Sequence, residues 1–208
     1  MSKELKIIRS KSDLDILGKI CFEEKNHVYR LKSTRLFSVT QLMSPLNQKT
    51  YGEISDRILK TAANRGSNVH YAIEMFNEYG AKECRSDNKP YFDAYLKFAE
   101  EHQVKSIASE IKIFHKKLLY AGTIDTISII DNKVTLMDYK TTVSLHKKLV
   151  AVQLAAYLDS LNSYGLTVEQ VAALQLKKDG TYNYQIVEPD LKTFYACMRI
   201  KAWENFKD

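Results

Sequence analysis

Glycine and proline are scarce in this chain, 7 and 3 of its 208 residues, and neither clusters. No linker-like stretch, internal repeat or low-complexity segment divides it. A single domain over 1–208 is therefore expected, long enough to bury a sizeable core. Long apolar runs are also missing. No stretch approaches the ~18 apolar residues that span a bilayer. None follows the opening Met1-Ser2-Lys3-Glu4-Leu5-Lys6 either, so no membrane segment and no signal peptide are expected. Cysteine is limited to Cys21, Cys84 and Cys197. An odd, scattered set argues against a disulfide frame and for free thiols in a reducing cytoplasm. Acid is not in excess: 25 Asp and Glu face 31 Lys and Arg, giving a net charge of +6 and a pI near 9.0. That balance suits a polyanionic partner without demanding one.

The residues that are present alternate between helix and strand chemistry. A short helix is expected around 12–20. From Asn26 to Thr40, His27-Val28-Tyr29-Arg30-Leu31 and Leu36-Phe37-Ser38-Val39-Thr40 flank a polar turn at Lys32-Ser33-Thr34, which predicts a hairpin. Pro45 marks a break. Residues 53–79 have a helical pattern with a joint near Asn64-Arg65-Gly66-Ser67, where glycine permits close backbone approach and Ser67 or Asn68 caps the second piece of helix. Pro90 opens a helix whose stripe of Tyr91, Phe92, Tyr95 and Phe98 reads as core packing. Residues 107–120 return to strand character. Lys147 to Tyr164 is helical, Val171–Leu176 and Tyr182–Val187 are strands joined through Asp179-Gly180, and a last helix begins at Pro189 and carries Trp203.

The most informative stretch runs from Gly122-Thr123-Ile124-Asp125 to Asp138-Tyr139-Lys140-Thr141-Thr142. The β-branched, apolar residues between are interrupted only by Asp131-Asn132-Lys133, which has turn chemistry. With Asp131-Asn132 as a two-residue loop, Ile130 pairs with Lys133, and the register places Asp125 directly opposite Asp138. Opposed residues share a face with Cβ atoms about 4.5–5.5 Å apart, and Lys140 projects to that face too. Two carboxylates there repel, and a cation between them would remove the penalty. A longer loop or a bulge would shift the register. The plainer alternative is a solvent-facing acid pair with Lys140 as its salt-bridge partner.

The Gly-x-x-Asp and Asp-x-Lys-Thr pattern resembles the PD-(D/E)XK nuclease superfamily, in its RecB-like branch, which includes phage exonucleases and the mitochondrial genome-maintenance exonuclease. Flanking matches occur in the same order. Arg65-Gly66-Ser67-Asn68-Val69-His70 resembles the family's Arg-Gly-x-x-x-His motif, and Gln153-Leu154-Ala155-Ala156-Tyr157 its Gln-x-x-x-Tyr motif. Ser38-Val39-Thr40 is similar to the segment that leads into the first helix of phage relatives. Asp138 stands where many relatives have glutamate.

The resemblance implies an α/β, restriction-endonuclease-like core, a central mixed β-sheet flanked by helices. An N-terminal hairpin and helices would occupy about 1–105, and the catalytic sheet with its helices about 106–208. It implies a metal-dependent DNA nuclease, in the first instance an exonuclease of recombination, repair or phage replication, in bacterial or phage-infected cytoplasm. The alternatives are a structure-specific endonuclease or resolvase, and an inactive nuclease fold that binds nucleic acid. Catalytic residues carried over are Asp125, Asp138, Lys140, Gln153 and Tyr157. Metal ligands for Mg²⁺ or Mn²⁺ are His70, Asp125, Asp138 and the Tyr139 carbonyl, with Glu110 a further candidate; otherwise His70 and Glu74 are a surface pair four apart and Glu110 an edge-strand charge. Arg65, Ser67, Thr141, Lys147 and Lys148 are candidates for nucleic-acid contact, as are Lys112, Lys116 and Lys117. Three cysteines are too few for the iron–sulfur cluster of some relatives. Without a Gly-x-x-x-x-Gly-Lys-Ser/Thr phosphate loop no helicase motor is expected. Linear DNA ends are the expected partner, with a single-strand-annealing or replication protein as a second and an oligomer compatible with ring-forming relatives.

Overall fold

The computed structural model describes residues 4–205; Met1–Lys3, the start of the segment expected to carry no leader, lie outside them. After strand β1 (Lys6–Ile7) comes a 3₁₀ helix, Lys11–Ile16, closed reciprocally by Ser10 and Asp13. It is shorter than the helix expected over 12–20. The backbone turns extended at Leu17 (φ −66°, ψ 134°) and ends it there. Strand β2 (Cys21–Glu23), which the sequence did not betray, then pairs with the expected hairpin of β3 (Val28–Leu31) and β4 (Thr34–Ser38).

Ser38 ends β4 and starts a helix at once. Its hydroxyl accepts the Gln41 N–H (3.1 Å), and the Gln41 side chain accepts the Ser38 N–H (2.9 Å), a capping box that fixes α1 (Val39–Leu42). Pro45 lies in the first turn of α2 (Ser44–Tyr51). The next helix is one unbroken element, α3 (Asp56–Tyr79), 24 residues long. The joint expected at Gly66 is absent, and Ser67 and Asn68 are interior positions rather than caps. A glycine inside a helix costs only about 1 kcal/mol, and the burial of Val69, Ala72 and Ile73 outweighs it. Nor does Gly66 serve a close approach, since a Cβ there would only touch Thr141 Oγ1 at 3.9 Å.

Helix α4 (Lys89–Glu101) buries its aromatic stripe as expected. The strand character of 107–120 resolves into β5 (Lys105–Phe114) and the start of β6 (Tyr120–Ile130), joined by a turn in which His115 Nδ1 accepts the N–H groups of Lys117 and Leu118. β7 (Lys133–Lys140), α5 (Lys147–Ser163), β8 (Leu166–Thr167), β9 (Gln170–Leu176), β10 (Tyr182–Ile186) and α6 (Leu191–Asn205) complete the chain.

The architecture is α/β, with helices flanking a mixed central sheet of order β10-β9-β7-β6-β4-β3-β2; β5 lies on β6 as well, and β1 pairs with β8 apart from it. β4–β6 and β7–β9 are parallel and the other pairings in that sheet antiparallel. Each face carries its own core. Val134 and Leu136 of β7 pack with Val150, Leu154 and Leu161 of α5. Met137 and Tyr139 pack with Ile73 of α3 and with Tyr95 and Phe98 of α4. Alternation along β7 therefore puts Asp138 and Lys140 on the α5 face. Among the described residues no helix is long and apolar enough to cross a membrane.

The β6–β7 hairpin has the two-residue loop the sequence implies. Asp131 and Asn132 both adopt positive φ, 48° and 65°, as a type I′ turn requires, and Ile130 pairs with Lys133. Pairing runs to Thr126–Met137 and then stops. On the same edge β4 takes over at Tyr120 and Ala121. Residues 122–125 face the gap where two neighbours diverge. That fork holds the site.

Candidate functional site

Asp125 sits in the fork, one step past the last β6–β7 pair. One carboxylate oxygen, Oδ2, bridges the gap by accepting the Tyr139 N–H at 2.8 Å. The other, Oδ1, lies 3.7 Å from His70 Nδ1. Across on β5, the pairing of Ser109 with Thr126 and Ile111 with Ile124 places Glu110 opposite Asp125. Glu110 holds φ at +50°, a conformation L residues seldom adopt, and its carboxylate lies 3.7 Å from the same His70 nitrogen. Such strain persists only where the surroundings impose it, and it concentrates at functional sites. His70 comes from α3, with Nε2 3.2 Å from the Tyr139 carbonyl. Its Nε2–H therefore donates to that carbonyl and Nδ1 is directed at the two acids. Ligand atoms of His70, Glu110 and Asp125 all fall within 4.8 Å of one another.

Asp138 and Lys140 form the second half. Asp138 is 2% exposed. Lys140 Nζ donates to its Oδ1 at 3.1 Å and stands 2.8 Å from Oδ2, out of line for a hydrogen bond, so that buried oxygen takes none. The same ammonium donates to Gln153 Oε1 (3.1 Å), and the Gln153 amide donates to the Tyr157 hydroxyl (3.3 Å). Gln153 thus holds the lysine, and Tyr157 holds Gln153. Tyr157 in turn lies on Gly122, where a Cβ would stand 2.5 Å from its ring. This contact explains the glycine of Gly-x-x-Asp: it admits the tyrosine of Gln-x-x-x-Tyr. Gly122→Ala should destabilise the fold by about 1–3 kcal/mol through overpacking, a fall in Tm of roughly 2–12 °C at this chain length. A thermal melt matching wild type would show that the ring moves aside freely.

The electrostatics suit a cation. Burial raises the Asp125 carboxyl, Asp138 and Glu110 raise it further, and His70 and Lys140 offset only part, leaving it at about 7. Burial works against a charged His70, yet Asp125 and Glu110, with Asp138 beyond, overcome it and lift the imidazole to about 9. Lys140 obeys the same logic: desolvation disfavours its charge, but Asp138 and Asp125 prevail and hold it above its ordinary value. It is an ammonium at neutral pH, not a base. Three carboxylates crowd one imidazole and one ammonium, and Asp138 Oδ2, which accepts no hydrogen bond, is paired with the Lys140 ammonium at 2.8 Å. A divalent ion fits this donor set, in which hard oxygens predominate.

The remaining candidates are placed unevenly. Arg65 donates to the Thr141 hydroxyl and carbonyl (3.3 and 3.0 Å) and lies over the Tyr91 ring. Those two residues therefore tie α3 to the end of β7. Ser67 lines the cleft with His70, and Lys147 and Lys148 are exposed at the start of α5. Glu74 lines that cleft four residues from His70, on the same face of α3. Lys116 lies over the Tyr164 ring, just beyond the far end of α5, a helix about 25 Å long, so it is remote from Lys147. Lys112 and Lys117 are exposed. Beyond the Ser38-Val39-Thr40 match, the sequence offered no sign that Tyr51, His27 and Tyr29 would join Thr40 in walling the clefts beside the site, because they come from the N-terminal strands and helices, which the β4–β6 pairing brings to it.

No family model and no curated protein matches the sequence. Among solved structures the chain is similar to the one titled "Crystal structure of SSO0001", at 15% identity and a TM-score of 0.45, over 85% of this chain and 79% of that one.

Proposed function

We propose that this protein is a metal-dependent deoxyribonuclease of the PD-(D/E)XK type, acting as an exonuclease on linear DNA. The observation that carries the reading is the joining, at one strand fork, of Asp125, Asp138 and Lys140 with His70 and Glu110. Hydrolysis of a phosphodiester needs charge neutralisation at the phosphate, a nucleophilic water and help for the leaving oxygen. Asp125, Glu110 and His70 Nδ1 would hold Mg²⁺ or Mn²⁺, while Asp138, carried over as a ligand, stands outside that group and is paired with Lys140; the imidazole tilts the preference toward Mn²⁺. The ion would supply Lewis acidity and a bound water of lowered pKa. The Tyr139 carbonyl, accepting from Nε2–H, keeps the His70 ring turned for this role.

Lys140, charged and fixed by Asp138 and Gln153, orients the attacking water or stabilises charge that develops on the phosphoryl oxygens. Exposed Lys147 and Lys148 lie where they can meet backbone phosphates, a salt-sensitive role without sequence preference. The test is end-labelled linear DNA, single- and double-stranded, beside a closed circle, each with Mg²⁺, Mn²⁺ or EDTA. Metal-dependent loss of linear DNA alone is expected. Cutting of the circle would instead make the protein an endonuclease. DNA binding without cleavage under any metal would leave a binding protein on a nuclease fold.

A further inference from the structure

Two clefts open at the site, one lined by Lys140 and the other by His70, Glu110 and Asp125, and they differ in chemistry. One, about 520 Å³, contains His70 and is lined by four carboxylates, those of Glu24, Glu74, Glu110 and Asp125. The other, about 430 Å³, reaches Lys140 and Gln153 and has no carboxylate in its lining. Its walls are apolar, from Met43, Leu149 and Val150, with the amides of Asn47 and Gln48 and an aromatic corner of Tyr51 against His146. Those two rings meet edge to face, 5.3 Å between centroids. Thr40 lines both clefts, so they share a wall.

We infer that the Tyr51–His146 cleft binds one unpaired nucleobase next to the scissile phosphate, which makes single-stranded DNA the substrate. The inference rests on the nuclease reading above. A phosphate held at Lys140 leaves a neighbouring nucleotide within reach of this cleft. The acidic cleft repels a polyanion unless cations fill it, whereas the carboxylate-free one offers the Lys140 ammonium, aromatic rings and amide donors and acceptors, the last two being the means by which proteins hold splayed bases. Its volume is at the small end of ligand pockets. A paired base could not use it without being unstacked, at a cost of a few kcal/mol that a single strand avoids. The cleft continues into an open groove through shared residues Tyr51, Leu59, Thr142 and His146, and there Arg57 and Arg65 supply positive charge for the strand beyond.

The test compares wild type with Tyr51→Leu, Tyr51→Phe and His146→Ala. Binding of single-stranded and duplex oligonucleotides is read by anisotropy in Ca²⁺, with an aminopurine probe reporting stacking, and cleavage is read in Mn²⁺. A lost base–aromatic stack weakens binding by ~5- to 150-fold. Tyr51→Leu should lose that much affinity for the single strand and the aminopurine quench with it, while duplex binding, weaker at the outset, stays as it was. Tyr51→Phe, which keeps the ring, should restore both. Thermal melts establish that each variant is folded, and His146→Ala carries the same comparison should Tyr51→Leu unfold. Wild type that binds and cuts DNA while the variants bind the single strand equally well would overturn the base site alone, as would tighter binding of duplex. Wild type that neither binds nor cuts would overturn both readings.

Discussion

Lys140→Ala should lower the rate of DNA cleavage by about 10²–10³-fold, the usual effect of removing one preorganised donor from a developing oxyanion. The size reflects how firmly the lysine is held. Its ammonium is charged because Asp138 and Asp125 overcome desolvation, and it is aimed by Asp138 Oδ1 and Gln153 Oε1. Such a group needs no reorganisation as charge builds on the phosphate. The loss should fall on kcat, with KM for DNA little changed, since the contact strengthens in the transition state. Gln153→Ala should give a smaller loss of the same kind, because it frees the lysine without deleting it. The competing account makes Lys140 only the counter-ion that keeps buried Asp138 folded. It predicts a lowered Tm, and a rate per folded molecule within about threefold of wild type. Single-turnover cleavage on protein shown to be folded distinguishes the two.

Asp125→Asn should abolish Mn²⁺ binding, and binding to the wild type should be coupled to proton release. Asp125 titrates at about 7 and His70 at about 9, while a metal demands the carboxylate and the neutral imidazole. Calorimetry near pH 7 in buffers of different ionisation enthalpy should report roughly one to two protons released per ion. Affinity should fall steeply as pH drops toward 5. Metal-free stability depends on the same shifts. Asp125, raised above its unfolded value near 4, adds stability at low pH that is lost as pH rises through 7. His70, raised above 6.5, adds stability below that value that is lost as pH rises through 9. Binding without proton release, or retained in Asp125→Asn, would move the ion away from this cluster.

The two-residue loop the chain suggested between β6 and β7 is the one found, because side-chain alternation and Asp-Asn turn chemistry are local, though the exclusion of a longer loop or bulge came from the structure. The same holds for the hairpin over 26–40, the aromatic stripe of α4 and the spacing of Gln153 and Tyr157, since each depends on a short-range period. Where glycine met the helical pattern, local reasoning misled: Gly66 suggested a joint, but burial of the residues after it carries α3 straight through.

Local patterning, then, determined an acid–acid–lysine hairpin and which side chains share a face of β7, and the motif resemblance implied the α/β fold. The tertiary structure decided how those groups are used. It ended the β6–β7 ladder at Thr126, turned Asp125 toward His70 and Glu110, left Asp138 to Lys140, and laid Tyr157 on Gly122. It also brought Tyr51 and His146 together beside Lys140. These outcomes depend on contacts between segments tens of residues apart. A period of two or 3.6 residues describes one element against its own axis and carries no record of which element it will meet.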